Sequence, residues 1–334
     1  MVPALLPQPS SRRRATRAAA ALGGLLTTAS LTVVSLTAVS LTGTAGTAQA
    51  FTVPPSAPNP PRYTVTDRYA ITSMTAGRTA TVTATCNQGE ERIGGGFSLG
   101  TLTYRDPIPR SEPRDRYPIE INAPSVGEGW TLRVRNRGDH NELAVAHVVC
   151  ASKQIGTQVV WGAPGEPSLR CPEGTVVTAG GWNVGGVSQD SDVTAIQQSY
   201  RSGDDRWSVL ARPADGSTAA PDAVSVAAVC VVEAVPVPMV GNDTWAAVAD
   251  QGFARVRAVT DRCPEGSIAA TTGFVFGPYN RGQLAVTALA PPATTDLNTW
   301  GFTAAAISDG SEVPGDATTF LPCFAVPRRL PVAR

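Results

Sequence analysis

Six cysteines are the residues of this sequence best suited to covalent or metal chemistry. They are Cys86, Cys150, Cys171, Cys230, Cys263 and Cys323. None belongs to a Cys-x-x-Cys pair, the spacing that zinc sites and thiol redox motifs commonly use. Only two histidines, His140 and His147, are available to supplement them. We therefore expect no metal site, no redox-active dithiol and no cofactor. An even number of cysteines in an exported chain indicates disulfides instead.

Carboxylates are the remaining candidates for catalysis. The sequence contains no Gly-x-Ser-x-Gly or His-Glu-x-x-His hydrolase motif, whereas paired carboxylates that cleave glycosidic bonds need no motif. The nearest such pairs are Asp190 with Asp192 and Asp204 with Asp205. We interpret these aspartates as turn residues of a variable loop and predict no catalytic residue. We interpret His140 as a turn residue and His147 as a strand residue, because neither has a counterpart elsewhere in the sequence pattern.

The surroundings of the cysteines show a repeat. The stretches are CNQGEERIGGGF from Cys86, CPEGTVVTAGGW from Cys171 and CPEGSIAATTGF from Cys263. Each has Gly three residues after Cys and ends in Gly followed by an aromatic residue. A variable segment follows in each copy. A tryptophan then opens an apolar-polar alternation, the period of a half-buried strand. These tryptophans are Trp130, Trp207 and Trp300.

A polar turn and a second alternating run, ending in Cys, complete each copy. We predict an all-β chain of three tandem antiparallel β-sandwich-like modules, each with one disulfide. The alternative is a single pseudo-threefold β-prism-like assembly. The predicted module boundaries are 62–152, 153–234 and 235–327.

The repeat favours one of the fifteen pairings that six cysteines allow. It joins the two cysteines of each copy: Cys86–Cys150, Cys171–Cys230 and Cys263–Cys323. The main competing arrangement joins neighbouring copies, for example Cys150 to Cys171. Closing a loop of about 60 residues stabilises a small domain by about 4 kcal/mol in the chain-entropy description of disulfides.

The N-terminal residues have the features of an export signal. A basic stretch (11–17) precedes an apolar one (18–41), and Ala-Gln-Ala at 48–50 fits a signal-peptidase site. We expect residues 1–50 to be a signal peptide, with the general secretory and twin-arginine routes both open. A Pro-rich stem (51–61) follows, and 328–334 form a C-terminal tail.

Charge narrows the range of partners. Removing the four arginines of residues 1–50 from 27 basic residues leaves 23, against 27 acidic ones, a net charge of −4. That balance disfavours nucleic acid or an anionic membrane as partner. We expect a secreted protein with no membrane contact after the signal is removed, and its oligomeric state stays open.

Five aromatic residues lie outside the repeated positions and are candidates for ligand binding, because aromatic rings beside polar groups stack on sugars or anchor protein partners. They are Tyr104, Tyr117, Trp161, Tyr200 and Trp245. The alternative for the two tryptophans is packing between modules.

The repeated order of Cys-Pro-x-Gly, Gly-aromatic, Trp and Cys behind an Ala-rich leader resembles uncharacterised secreted tandem-repeat proteins of high-GC bacteria. The resemblance covers about residues 62–327, with departures at Asn87 and Thr272. It implies secretion and an all-β module, and it implies no activity.

We predict a non-catalytic binding protein that recognises an extracellular carbohydrate or protein through variable loops. A secreted polysaccharide or cell-wall hydrolase using paired carboxylates is one alternative, and a structural or adhesive surface protein is another. Because repeated residues serve the scaffold, we expect function where the copies differ, chiefly in 98–129, 183–206 and 275–299.

Overall fold

A computed structural model describes the chain over the ranges 64–100, 118–152, 155–185, 194–213, 224–232, 234–236, 244–246, 248–250, 253–257, 263–264, 267–276, 284–290, 300–306 and 316–325. Within these ranges all regular structure is β-strand. The first strands are β1 (Val65–Met74), β2 (Thr79–Thr85), β3 (Glu91–Leu99), β4 (Ile119–Pro124), β5 (Gly129–Arg135), β6 (Glu142–Ala151), β7 (Thr157–Trp161), β8 (Ser168–Arg170), β9 (Val176–Val184), β10 (Thr194–Gly203), β11 (Arg206–Pro213) and β12 (Val224–Val231). The later ones are β13 (Val235–Pro236), β14 (Thr244–Ala246), β15 (Val248–Asp250), β16 (Phe253–Arg257), β17 (Ile268–Ala269), β18 (Gly273–Phe276), β19 (Leu284–Ala290), β20 (Gly301–Ala306), β21 (Asp316–Phe320) and β22 (Cys323–Ala325).

The strands form three large antiparallel sheets and one small sheet. The first sheet has the order β1-β6-β3-β19-β20-β16-β15, the second β2-β5-β4-β9-β12-β7, and the third β14-β21-β18-β10-β11-β8. The small sheet is β13-β22-β17. The prediction of an all-β fold with antiparallel sheets is confirmed.

Each large sheet combines strands from two of the predicted modules. The second sheet joins β2, β5 and β4 of the first module to β9, β12 and β7 of the second module. The third sheet joins the second module to the third, and the first sheet joins the third module back to the first. The predicted modules are therefore not separate pairs of sheets. The strand order is cyclic, because each predicted module shares one large sheet with each of the other two.

Adjacent modules meet through one pair of strands in each large sheet. Trp182 pairs with Asn122 where β9 meets β4, and the corresponding pairs are Phe97 with Leu289 and Phe274 with Ser199. The repeated Gly-aromatic dipeptide thus lies at all three junctions. The preceding glycine permits close approach, because a Cβ atom on Gly181 would overlap the carbonyl oxygen of Asn122.

The aromatic residues of the repeat meet in the core. The Trp182 ring lies edge-on to Phe97 at 6.3 Å between centroids and to Phe274 at 6.4 Å. Such edge-to-face pairs are favourable beyond the area they bury. One hydrophobic cluster includes these rings and Trp130, Trp207 and Trp300. The core is therefore shared by all three predicted modules.

The buried indole N–H groups need acceptors, and the modules supply them differently. Trp130 Nε1 donates to Asn122 Oδ1 at 2.7 Å, and Trp207 Nε1 donates to Ser199 Oγ at 3.1 Å. Leu289 occupies the corresponding position at the third junction and has no polar atom in its side chain. Trp300 Nε1 donates instead to the carbonyl oxygen of Ala269 at 3.0 Å.

Replacing Asn122 with Leu is expected to destabilise the fold by about 1–3 kcal/mol, because it leaves the buried Trp130 N–H without its acceptor. A double-mutant cycle of Asn122→Leu and Trp130→Phe, followed by urea unfolding, measures the coupling between the two side chains. We expect a coupling of about 1 kcal/mol, since the double variant removes donor and acceptor together. Strictly additive effects would show that the hydrogen bond contributes nothing.

Three disulfides brace the sheets: Cys86–Cys150, Cys171–Cys230 and Cys263–Cys323. These are the pairs that the repeat favours. In each case the bond joins the residue that opens a repeated stretch to the strand that closes the same copy. Such bonds fit an oxidising environment outside the cytoplasm.

Candidate binding surface

Two aromatic rings stack on the outer face of the third sheet. Tyr200 of β10 and Phe320 of β21 lie 5.4 Å apart between ring centroids, at 29° between planes. Both side chains are partly exposed, whereas Trp207 and Val209 on the neighbouring strand β11 point into the core. We call the outer face around these two rings the Tyr200–Phe320 surface.

Polar groups border the two rings. The hydroxyls of Ser202 and Ser208 form a hydrogen bond of 2.6 Å, and Ser208 is the register partner of Tyr200. Gln198 lies two residues before Tyr200 on the same strand and is partly exposed. Side chains two apart on a strand share a face. The surface therefore combines aromatic faces with hydroxyl and amide groups.

The strand between the rings is positioned by Gly273. This residue is the register partner of Phe320, and a Cβ atom placed on it would lie 2.8 Å from Tyr200 Cα. A side chain here would push β10 outward, so the absence of one lets Tyr200 approach Phe320. The same repeated glycine that closes the junction thus also sets the spacing of the surface.

Behind the surface, Arg201 anchors β10 from the core side. The residue is 2% exposed, and its guanidinium donates from Nη1 to the carbonyl oxygen of Cys323 at 3.2 Å. Burial lowers the pKa of Arg201 from its ordinary value, and the nearby charge of Asp204 opposes that change. Arg201 thereby links the strand of Tyr200 to the disulfide-bonded strand β22.

The same positions in the other two sheets lack an aromatic pair. Tyr200 is the residue after Ser199, which pairs across its junction. The residues in the same place at the other two junctions are Ala123, after Asn122, and Ala290, after Leu289. The residue opposite the repeated glycine is Phe320 in the third sheet but His147 in the first and Ala227 in the second. The aromatic pair is a feature of one sheet, and the scaffold accepts alanine at both positions.

Trp161 is a second exposed aromatic residue. It ends β7, one of the two edge strands of the second sheet, and is 44% exposed. This exposure argues against complete burial between modules. The structure does not bring Trp161 into ring contact with Tyr200 or with another aromatic residue among those it describes.

The structure does not describe the side chains of several predicted site residues. Tyr104, Tyr117, Asp190 and Asp192 fall outside the described residues. Trp245 belongs to β14. These five residues stay candidates by prediction alone.

The candidate carboxylates Asp204 and Asp205 lie in the turn between β10 and β11. Their backbone carbonyls accept hydrogen bonds from the amides of Val177 and Cys171. The Asp205 carboxylate is 3.0 Å from Nε of Arg170. The Asp204 carboxylate is 3.9 Å from Nη2 of Arg201, and its side chain is 70% exposed. Both aspartates therefore lie in a turn, each with its carboxylate close to an arginine.

The buried histidine, His147, does not offer an accessible base. His147 Nδ1 lies 3.1 Å from Asp67 Oδ2, while its Nε2 is buried and has no hydrogen-bond partner among the described atoms. A general base must reach the proton that it removes, and this nitrogen is closed to solvent. His140 is exposed beside Asp139 on a turn.

Cys86, Glu90 and Cys150 form the one cluster of possible metal ligands within the described residues. Both sulfurs belong to the Cys86–Cys150 disulfide. Glu90 accepts two hydrogen bonds from Arg68, at 2.7 and 2.8 Å. These bonds lower the pKa of Glu90, and the cluster is an ion pair beside a disulfide.

No protein-family model matches the chain, and no curated protein matches it. Among the residues described, no helical segment has the length and apolar character needed to traverse a bilayer.

Phe320 was not a predicted site residue, although the sequence carries a signal for it. It lies three residues before Cys323, as His147 lies before Cys150 and Ala227 before Cys230. The signal is that the residue at this position differs among the three copies and carries an aromatic hydrocarbon ring only in the third. Its pairing with Tyr200 requires the contact between the second and third modules.

Proposed function

We propose that this protein is exported and binds an extracellular carbohydrate, without catalysis, through the Tyr200–Phe320 surface. The stacked and partly exposed pair of rings is the observation that carries the proposal. Sugar rings have apolar C–H faces and hydroxyl edges, so an aromatic platform beside hydroxyl and amide groups complements both. A protein ligand at the same surface is the alternative.

The rigidity of the surface supports binding. Both rings belong to strands, and the strand of Phe320 ends beside the Cys263–Cys323 disulfide. Because the rings are already positioned, little conformational entropy is lost when a ligand binds. The engaged Asp205 carboxylate and the buried Nε2 of His147 favour binding over hydrolysis.

Tyr200→Ala is expected to weaken glycan binding by about tenfold or more, which corresponds to about 1.4 kcal/mol. The measurement is a glycan array with the purified protein, followed by calorimetric titration of the best ligand. Phe320→Ala is expected to act in the same direction. Alanine already occupies the corresponding positions of another sheet, so both variants are expected to fold.

Tyr69→Ala is the matched control. Tyr69 is 57% exposed on β1 of the first sheet, whereas β10 belongs to the third sheet. We expect its replacement to leave glycan affinity within about twofold of the unchanged protein. Equal affinity of the Tyr200→Ala and Tyr69→Ala variants would contradict the proposal. Glycan turnover that is lost in Asp204→Asn/Asp205→Asn would favour the hydrolase alternative.

A further inference from the structure

The Tyr200–Phe320 surface continues across the third sheet as a row of residues on neighbouring strands. Ser208 of β11 is the register partner of Tyr200, and Ser168 of β8 is the register partner of Ser208. On the other side of Tyr200, Gly273 of β18 lies close to its Cα atom and pairs with Phe320 of β21. We call these five residues the cross-strand row.

The serines of the cross-strand row lie on the same outer face as the two rings. The strand neighbours of the serines, Trp207 and Leu169, pack in the core or against it. Because consecutive residues of a strand point to opposite faces, Ser168 and Ser208 point away from the core. Both serines are partly exposed. They therefore extend the outer surface beyond the aromatic pair.

The length of the row is set by the number of strands that it crosses. These are five neighbours of the third sheet, in the order β8-β11-β10-β18-β21. Since neighbouring strands lie about 4.8 Å apart, the row is about 19 Å long, close to the length of about four sugar rings in an extended chain. A linear oligosaccharide of this length can lie across the strands, between Ser168 and Phe320.

The two ends of the row differ in chemistry. The rings of Tyr200 and Phe320 offer apolar surface at one end. The other end carries the hydroxyls of Ser168, Ser208 and Ser202, and the last two are 2.6 Å apart. A serine hydroxyl donates one hydrogen bond and accepts two, so the bond between Ser202 and Ser208 uses only one of their two donors. The aromatic end suits the C–H face of a sugar, and the serine end suits sugar hydroxyls.

A second row of outward side chains runs beside the first. Gln198 of β10 pairs with Leu210 on one side and with Val275 on the other, and Val275 pairs with Thr318. All four residues are partly exposed. Neither row contains a charged side chain, so the surface that they form is uncharged.

Charges of both signs border the serine end in equal number. Within three positions of Ser168, Ser202 and Ser208, the chain carries three basic and three acidic residues. They are Arg170, Arg201, Arg206, Glu166, Asp204 and Asp205. Arg170 Nε lies 3.0 Å from the Asp205 carboxylate, and Arg201 Nη2 lies 3.9 Å from that of Asp204. This balance gives an acidic glycan no net attraction.

We propose that the cross-strand row binds a neutral linear oligosaccharide of about four residues, which lies across the strands. Sugar rings at the Phe320 end stack on the aromatic pair, and those at the Ser168 end exchange hydrogen bonds with the serine hydroxyls. This inference rests on the proposed carbohydrate-binding function and adds to it the charge class, length and orientation of the glycan.

The first test is calorimetric titration with oligosaccharides of two to six residues. Cello-, xylo- and chito-oligosaccharides are the neutral ligands, and oligogalacturonates are the acidic ones. We expect a neutral series to bind, with affinity rising about tenfold or more from two to four residues and less than about twofold from four to six. The inference would be overturned by tighter binding of the acidic tetramer, by full affinity at two residues, or by no binding of any neutral series.

Ser168→Ala/Ser208→Ala tests the serine end. We expect this variant to bind the neutral tetramer about tenfold more weakly and the dimer within about twofold of the unchanged protein, because only the longer ligand reaches both ends of the row. Tyr200→Ala is expected to weaken the binding of both ligands.

Ser73→Ala/Ser225→Ala is the matched control, because these serines are exposed or partly exposed on strands of the other two large sheets. We expect it to keep the affinity for dimer and tetramer within about twofold. Equal affinities of the two double-serine variants for the tetramer would overturn the inference.

The inference and the proposed function fail in different ways. Binding that depends on Tyr200, but neither on chain length nor on Ser168 and Ser208, would support the proposed function and overturn the inference. Unchanged binding of every ligand by Tyr200→Ala would contradict the proposed function itself.

Discussion

Gly181→Ala is expected to destabilise the protein by about 2–4 kcal/mol, the range of severe overpacking in a core. An added Cβ atom would overlap the backbone carbonyl of Asn122, and a backbone atom cannot move aside as the end of a flexible side chain can. The two strands would have to separate at the junction between the first and second modules. Urea unfolding followed by tryptophan fluorescence measures the loss.

Gly203→Ala is the control for this prediction. Its nearest neighbour to an added Cβ would be Arg206 Cβ at 3.6 Å, an ordinary contact. We expect a change within about 0.5 kcal/mol. Similar stabilities for the two variants would show that the junction yields to a methyl group, and that close approach at Gly181 is not required.

Cys171→Ala/Cys230→Ala is expected to lose about 4 kcal/mol of stability. The bond closes a loop with a sequence separation of 59, and removing it releases that constraint on the unfolded chain. Both cysteines are also buried, so the variant loses some packing. The measurement is the urea midpoint and slope of the variant beside the unchanged protein.

Glu173→Ala/Gln158→Ala controls for the change of two residues near this bond, because Glu173 lies in the turn after Cys171 and Gln158 is the cross-strand partner of Cys230. Both side chains are exposed close to the disulfide, and we expect an effect within about 1 kcal/mol. A disulfide variant as stable as this control would show that the sheets hold the fold without the bond.

Most of the local structure follows from the sequence. The apolar-polar alternation at Trp130 and Trp207 predicts strands, and both residues lie in strands with their rings in the core. The spacing of the cysteines favours the pairing that the structure contains. These features depend on residues within one copy, where pattern and spacing carry the information.

The partners of the junction strands do not follow from the sequence in the same way. The apolar-polar alternation of β4 does not show whether this strand pairs with β3 or with β9, because either pairing would bury the same face of β4. The cyclic closure through β3 and β19 connects distant parts of the chain. Such choices depend on how all the sheets meet in one core.

The Tyr200–Phe320 surface likewise combines a residue that the sequence predicts with a contact that it does not predict. Tyr200 is predictable because it lies outside the repeated positions, whereas its stacking on Phe320 depends on β18 lying between the two strands. Trp161 shows the opposite case. Its sequence surroundings suit burial between modules, and its position at the end of an edge strand leaves it exposed.

The return of β19 to β3 closes the ring of shared sheets within one chain. Each predicted module supplies strands to two large sheets, so a module produced alone would have unpaired strand edges at both junctions. Because the single chain closes all three junctions internally, their pairing is intramolecular and does not depend on protein concentration.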